Sequence, residues 1–257
     1  MKIIYCAYGA SKYADQLVQS VRSVLAHHPD ALIEVHTTPD FAPLLAALPV
    51  SVIVGDDVAR ASDWHDPLMK LRAICRATEA NEPFVYLDND TCVAGSLAGA
   101  WNLLGRFDCL GVQSPIHDQR GFLNLQEAPG LTRPAPQVFP EWNGGVLFFA
   151  GTDGARRVAQ HWLQIQERGI SGGGDQWPLA EALWSSGARL HALPANYNCR
   201  LPASPVVYGP LTILHADHPD LAQVARVLNA NHGLRQVVQE RDRYAIRLDP
   251  QNGQRCF

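Results

Sequence analysis

The sequence predicts an α/β fold: a Rossmann-like, mostly parallel central sheet with helices on both faces. Two observations lead there. Through the first half of the 257 residues, short apolar runs alternate with stretches of helical period. Repeated strand–helix units of this kind build parallel sheets covered on both sides. The fourth apolar run, Phe84-Val85-Tyr86-Leu87, then ends in Asp88-Asn89-Asp90. Two carboxylates thus stand at the carboxyl end of a buried strand, where open α/β sheets bind ligands.

Taken in order, Lys2–Ala7 is the first strand, and Gly9-Ala10-Ser11 turns it into a helix with Ser11 as N-cap. Leu17, Val18, Val21, Val24 and Leu25 repeat at helical spacing until His27-His28-Pro29. Ala31–His36 reads as a second strand, Pro43–Leu48 as a short helix and Ser51–Val54 as a third strand. Pro67–Glu79 reads as a helix with Leu68, Leu71, Ile74 and Cys75 on one face, and the strand ending at Asp88 follows.

The second half is less regular. Asp108–Gln113 predicts a strand. The stretch 115–141 carries Pro115, Pro129, Pro134, Pro136 and Pro140. A loop of that length inside a compact domain is either functional or disordered, and an acceptor-binding or lid role is expected for it. Gly145–Ala150 reads as a strand and Asp153–Arg168 as a helix. Gly172-Gly173-Gly174 leads into Asp175 and a helix to Ser186. Leu190–Leu193 and Leu211–Leu214 read as short strands, and the tail from Leu221 as helical and then charged. Neither repeat nor linker is visible, so residues 1–257 are expected to form one domain.

Composition narrows the classes. A chain of this size buries about 75% of its unfolded surface and needs no staples. A net charge of -4 argues against nucleic acid as the main partner. The six cysteines form no C-x-x-C pair and sit mostly in apolar stretches. They read as reduced structural thiols, which favours the cytoplasm and no zinc site. The first residues read directly as a strand, so no signal peptide is expected. No apolar run approaches the ~20 residues of a membrane span; peripheral membrane contact stays open.

The Asp88-Asn89-Asp90 segment carries the chemistry. In an extended chain, residues two apart point to the same side. Two carboxylates aimed at one point repel unless a cation lies between them. Mg²⁺ and Mn²⁺ prefer oxygen ligands and often carry substrate phosphates. D-x-D also occurs in solvated turns, and it is the buried strand before it that gives this one weight. Haloacid-dehalogenase-type phosphatases use strand-D-x-D-x-[TV]. Here Cys92 breaks that pattern, and several strand–helix units precede the motif.

Further segments connect to it. Val85–Val93 (VYLDNDTCV) resembles the D-x-D segment of GT-A glycosyltransferases, particularly family 8. Trp142-Asn143-Gly144-Gly145-Val146-Leu147 is similar to that group's N-[ASG]-G-V-L, and Gly174-Asp175-Gln176 to its D-Q segment. Leu193-Pro194-Ala195-Asn196-Tyr197-Asn198 resembles its L-P-x-x-Y-N. Lys70-Leu71-Arg72 falls on the helix where the family has basic residues. The five segments keep the family's order, and the resemblance spans roughly residues 2–218.

The resemblance implies a nucleotide-binding half over 1–113, a sugar and acceptor half over 114–220, and a C-terminal helix and tail over 221–257. It implies that Asp88 and Asp90 hold Mn²⁺ or Mg²⁺, with Asp88 also near the ribose or sugar of the nucleotide sugar. A late histidine completes the metal set; His215 follows an apolar run, and His218 is its substitute. The family often continues with K-P-W. This chain has Pro219-Asp220 and no lysine there, which puts one diphosphate contact in question.

Other positions follow from residue type. The Asn143 amide suits a sugar hydroxyl, and Gly144 and Gly145 allow close backbone approach. N-G also favours a turn entering a strand on its own. Asp175 can accept from the transferred sugar while capping its helix. Lys70 or Arg72 is expected to pair with the diphosphate, but not both, since residues two apart on a helix diverge. Ala7, Tyr8 and Gly9 end the first strand and are expected near the base. Asn89, between the two aspartates, belongs to the same nucleotide-sugar site.

The expected activity is metal-dependent transfer of a sugar from a nucleotide-diphosphate sugar, UDP-linked in the family's commonest case, to an acceptor hydroxyl. The acceptor class (glycan, lipid-linked sugar or protein) is open. Family 8 retains anomeric configuration, and Gln176 would then lie near the reacting carbon. An inverting enzyme needs a side-chain base, and Asp175 would serve. Two alternatives stand beside this. A sugar nucleotidyltransferase usually carries a glycine- and arginine-rich loop after the first strand, which Tyr8-Gly9-Ala10-Ser11-Lys12 matches poorly. A non-catalytic nucleotide-sugar-binding protein would have little use for Asp88, Asp90, Asp175 and His215 together.

Overall fold

In chain order the first half runs β1 (Lys2–Ala7), α1 (Lys12–His27), β2 (Leu32–Thr37), β3 (Ser51–Val54), α2 (Pro67–Glu79), β4 (Phe84–Leu87), β5 (Thr91–Val93), α3 (Ala98–Leu103) and β6 (Cys109–Gln113). The second runs β7 (Trp142–Phe149), α4 (Asp153–Glu167), α5 (Gln176–Ser185), β8 (Leu190–Leu193), β9 (Cys199–Arg200), β10 (Val206–Val207), β11 (Ile213–His215), α6 (Leu221–Asn229), β12 (Arg235–Glu240), β13 (Arg243–Leu248) and β14 (Gln254–Cys256). The structure, a computed structural model, describes residues 1–55, 67–114, 135, 136, 138–168, 175–203, 205–240, 243–248 and 254–256, with side chains to residue 238.

Seven strands form the central sheet in the order β3-β2-β1-β4-β7-β6-β8. Four of its six pairings are parallel; β7 runs antiparallel to both neighbours. β4 and β7 are buried along their whole length, which is why they read as continuous apolar runs rather than alternating ones. β1 divides its side chains by parity. Ile3, Tyr5 and Ala7 join Leu17, Val21 and Val24 of α1 on one face. Ile4 and Cys6 join α2, α4 and α5 on the other. Each such fully buried aliphatic side chain contributes about 1.5–3 kcal/mol.

A second sheet, β5-β11-β9, stands at the carboxyl end of β4. β11 pairs antiparallel with β5 in a register that sets His215 opposite Thr91. The Ala216 N–H donates to the Asp90 carbonyl at 2.9 Å. A non-local strand pairing thus brings residue 215 to the D-x-D turn. The third sheet, β10-β12-β13-β14, is antiparallel.

Several local expectations are corrected. β7 begins at Trp142, so Asn143-Gly144-Gly145 is strand and not a turn entering one. Ser11 occupies the N-cap position of α1, but its side chain makes no capping bond. The helix expected over 43–48 is a short 3₁₀ turn, Ala42–Leu45. The expected strand at Leu211–Leu214 is β11, which starts later and includes His215. The tail beyond α6 adds strands that its charged sequence concealed. The bulk of 115–141 and all of 172–174 lie outside the described residues. Among the described residues, Cys6, Cys75, Cys92, Cys109 and Cys199 form no disulfide. Among the described residues, no helix is long and apolar enough to cross a membrane.

Candidate active site

The chain turns sharply after β4, so the two aspartates do not project from an extended strand as expected. Residues 89 and 90 form a turn, and Thr91 Oγ1 closes it by donating to the Asp88 carbonyl at 2.8 Å. With its proton spent there, Thr91 accepts from Ser20 Oγ at 2.9 Å, and Ser20 accepts from the Tyr5 hydroxyl at 2.8 Å. This buried chain ties the turn to α1 and β1. Asp88, Asp90 and His215 converge, each offering one ligand atom, all within 4.8 Å of one another. His215 Nε2 stands 3.2 Å from Asp90 Oδ1 and 4.0 Å from Asp88 Oδ2.

Hydrogen-bond polarity fixes the imidazole. The Gly145 N–H is an unambiguous donor, and it meets Asn143 at 3.0 Å, so that atom is Oδ1. Asn198 meets the same oxygen at 2.8 Å and must present its amino group, Nδ2. Its other end is therefore Oδ1, which faces His215 Nδ1 at 3.0 Å. An amide oxygen only accepts, so Nδ1 carries the proton. The neutral ring then aims the Nε2 lone pair at a carboxylate oxygen, which is repulsive unless a proton or a cation lies between them. Burial alone would make the imidazolium harder to form; Asp90 and then Asp88 outweigh it and raise the His215 pKa.

The residues fit a divalent cation. Two carboxylate oxygens and one nitrogen converge, and the nitrogen is oriented from behind by an amide, as metal-binding histidines usually are. Gly145 completes the fit, because a Cβ there would collide with the His215 ring and stand 2.5 Å from Asp88 Oδ2. Carboxylates suit Mg²⁺ and Mn²⁺.

A second cluster adjoins the first. Lys70 is buried on α2, 2.8 Å from Asp175 Oδ2 and 3.3 Å from Asp88 Oδ1. Its ammonium lies 5.0 Å from the Tyr86 ring centroid and 5.7 Å from that of Trp162. Burial works against its charge, but Asp175 and then Asp88 more than reverse that and raise its pKa. Asp175 is the mirror case: burial opposes ionisation, and Lys70 holds the carboxyl below the usual carboxylate range. Its side chain makes no cap bond to α5, so it is spent on Lys70 instead. Tyr86 donates to Asp88 Oδ1 at 2.8 Å, leaving Oδ2 on the His215 side.

Asn143 joins the two clusters. With Oδ1 accepting twice, its Nδ2 donates to Gln176 Oε1 at 3.2 Å. Gly144 leaves room for this neighbourhood, since a Cβ there would stand 3.0 Å from Asp175 Oδ2 and 3.2 Å from Lys70 Nζ.

Beside the aspartates opens a cavity of about 470 Å³. Asp88, Asn89 and Asp90 line one part of it, and Tyr8, Lys12, Tyr13 and Gln16 another. Asn89 Oδ1 and Gln16 Oε1 are buried and have no hydrogen-bond partner among the described residues.

Four of the expected residues stand outside the converging cluster and the cavity lining. Ala7 does not line the cavity: strand parity turns its side chain into the core, and Cys6 takes its place beside Tyr8. Gly9 shapes the turn after β1 with φ +86°. Arg72 does not join Lys70, but pairs with Glu167 at 3.7 Å. His218 is not among the three converging ligands, and its Nδ1 accepts from the Asp220 N–H. Sequence reading gave no role to Tyr86, Asn198, Lys12, Gln16 or Asp217. Tyr86 was legible in principle, on β4 two residues before Asp88. The others meet the site only through tertiary pairing.

Among solved structures, the chain is similar to the galactosyltransferase LgtC in complex with donor and acceptor sugar analogs. The TM-score is 0.61 at 16% identity, over 90% of this chain and 95% of that one. The fold is the one LgtC has. Mouse xyloside xylosyltransferase 1 is also similar, with a TM-score of 0.52 at 15% identity over 84% of this chain and 97% of that one. The glycosyltransferase GlyE of Streptococcus pneumoniae gives 0.53 at 15% over 90% and 61%. No family model and no curated protein matches the chain. At these identities the likeness establishes a GT-A type fold.

Proposed function

We propose that the protein is a metal-dependent glycosyltransferase of the family 8 type. It transfers a sugar from a nucleotide-diphosphate sugar, UDP-linked by preference, to an acceptor hydroxyl with retention of configuration. The observation that carries this is the convergence of Asp88, Asp90 and His215 beside a cavity of nucleotide size, on a fold that glycosyltransferases share.

Asp88 Oδ2, Asp90 and His215 Nε2 would hold Mn²⁺ or Mg²⁺. A bound divalent ion supplies Lewis-acid neutralisation of the leaving diphosphate. Tyr8, Asn89 and Gln16 bind the nucleoside, and the orphaned oxygens of Asn89 and Gln16 accept from ribose hydroxyls or base N–H groups. Lys70 moves from the diphosphate to the sugar side in this reading, because Asp175 and Asp88 already engage it. Asp175, Asn143 and the Gln176 amide orient the transferred sugar. Asp175 is a weak base while Lys70 holds it ionised, which favours retention over a mechanism needing a protein base. The free thiols fit a reducing compartment, and we place the protein in the cytoplasm. The acceptor is a glycan, lipid-linked sugar or protein hydroxyl.

A thermal-shift panel of nucleotide sugars with and without Mn²⁺ tests this. One nucleotide sugar should stabilise the native protein only with metal, and Asp90→Asn should abolish the shift. The reading fails if no nucleotide sugar binds with metal, or if Asp90→Asn behaves as native.

A further inference from the structure

Among the described residues, the cavity beside the aspartates is lined by Asp88, Asp90 and Asp217, and by one cationic side chain, Lys12. A diphosphate entering it brings more negative charge than one divalent ion on two aspartates can offset. Lys12 opens α1, and Asp217 lies on the loop after β11, two residues beyond His215. Lys12 Nζ pairs with Asp217 Oδ2 at 3.2 Å, and both side chains are largely exposed, at 57% and 69%. Gln16 Nε2 donates to the other carboxylate oxygen at 2.6 Å. The Lys12 ammonium also lies 5.1 Å from the Tyr13 ring centroid, on the cavity side of α1.

These contacts are asymmetric. An exposed lysine–carboxylate pair contributes little and is screened by salt. A lysine–phosphate bond beside a desolvated ion is stronger. If Lys12 leaves, Asp217 keeps the Gln16 amide and is not stranded. The exchange therefore costs little and leaves no buried charge unpaired.

We propose that Lys12 is a protein cation that binds the diphosphate, and that Asp217 holds it in reserve as a competing anion until the nucleotide enters. This rests on the nucleotide-sugar reading above and adds a named residue to it. It also answers the lysine missing before Asp220: the charge comes from α1 instead.

The two partners then have opposite effects, which a purely structural salt bridge would not give. The experiment is calorimetric titration of UDP, GDP, ADP and CDP, and of the corresponding nucleosides, into the full chain with Mn²⁺. Lys12→Ala should weaken the preferred diphosphate by about ten- to a hundredfold, with little change for its nucleoside. Lys12→Arg should recover most of the loss. Asp217→Asn should tighten the diphosphate severalfold. The inference is overturned if Lys12→Ala binds as native does, if it loses nucleoside and diphosphate alike, or if Asp217→Asn weakens binding as Lys12→Ala does. If the native protein binds no diphosphate with metal, the nucleotide-sugar reading falls, and this inference with it. Melting temperatures of the variants should match the native value, since both side chains are exposed.

Discussion

Asn198 Oδ1 accepts the Nδ1 proton of His215 at 3.0 Å, and this one bond turns the Nε2 lone pair toward Asp88 and Asp90. Asn198 is therefore a positioning residue for the candidate metal site. Asn198→Ala should weaken Mn²⁺ binding by about 10–100-fold, the usual cost of losing an outer-shell partner. Electron paramagnetic resonance titration of Mn²⁺ without nucleotide reads this directly. Unchanged affinity would show that the imidazole is oriented by packing alone.

Gly145 and Gly144 are neighbours with different duties. A side chain on Gly145 meets His215 and Asp88, whereas one on Gly144 meets Asp175 and Lys70. Gly145→Ala should abolish stabilisation by Mn²⁺, and Gly144→Ala should preserve it. The same thermal-shift assay separates the two, and equal loss in both would refute the division.

Lys70 is the buried cation between Asp88 and Asp175. Lys70→Met leaves the half-buried Asp175 without its partner and should destabilise the fold by about 1–3 kcal/mol. Adding Asp175→Asn should recover part of that loss. Urea denaturation of the two single variants and the double variant gives the coupling; a double variant less stable than Lys70→Met alone would contradict it.

Asp108 offers a pH test away from the site. Its carboxylate accepts from the Arg189 guanidinium at 2.8 Å, from the Arg189 backbone at 2.7 Å and from Thr152 at 2.9 Å. Burial opposes its charge, but these bonds outweigh it and hold the pKa below the usual value. A depressed folded pKa adds stability above the unfolded value of about 3.9, and that stability is lost as pH falls through the folded value. Asp108→Asn should cost about 1–3 kcal/mol at neutral pH. The gap to native should narrow below about pH 4 in urea titrations across pH. A gap constant down to acid pH would rule this out.

The fold was legible where its signals are local. The parallel strands read as apolar runs because both sheet faces are covered, and the D-x-D turn follows one of them. His215 was reachable only through resemblance, because the pairing of β11 with β5 spans nearly half of the chain and leaves no periodic trace. The exchange of Ala7 for Cys6 is a parity error: a strand end was read as a unit, although its side chains alternate. Asn143-Gly144-Gly145 looked like a turn because local propensity favours one. In the fold, His215 and Asp88 press on that strand and leave no room for a Cβ at Gly145. Lys12 and Asp217 carried no signal at all, since lysines and aspartates at element ends are ordinary surface residues.

The dependence of the site on β11 has a consequence for biosynthesis. Asp88 and Asp90 leave the ribosome long before His215, and the imidazole reaches them only after β11 has docked beside β5. In the proposed reading, ion loading is thus a late step in maturation. A nascent or prematurely terminated chain ending before β11 would display both aspartates yet lack the nitrogen that completes the set, so such products should not compete with finished protein for scarce metal in the cell.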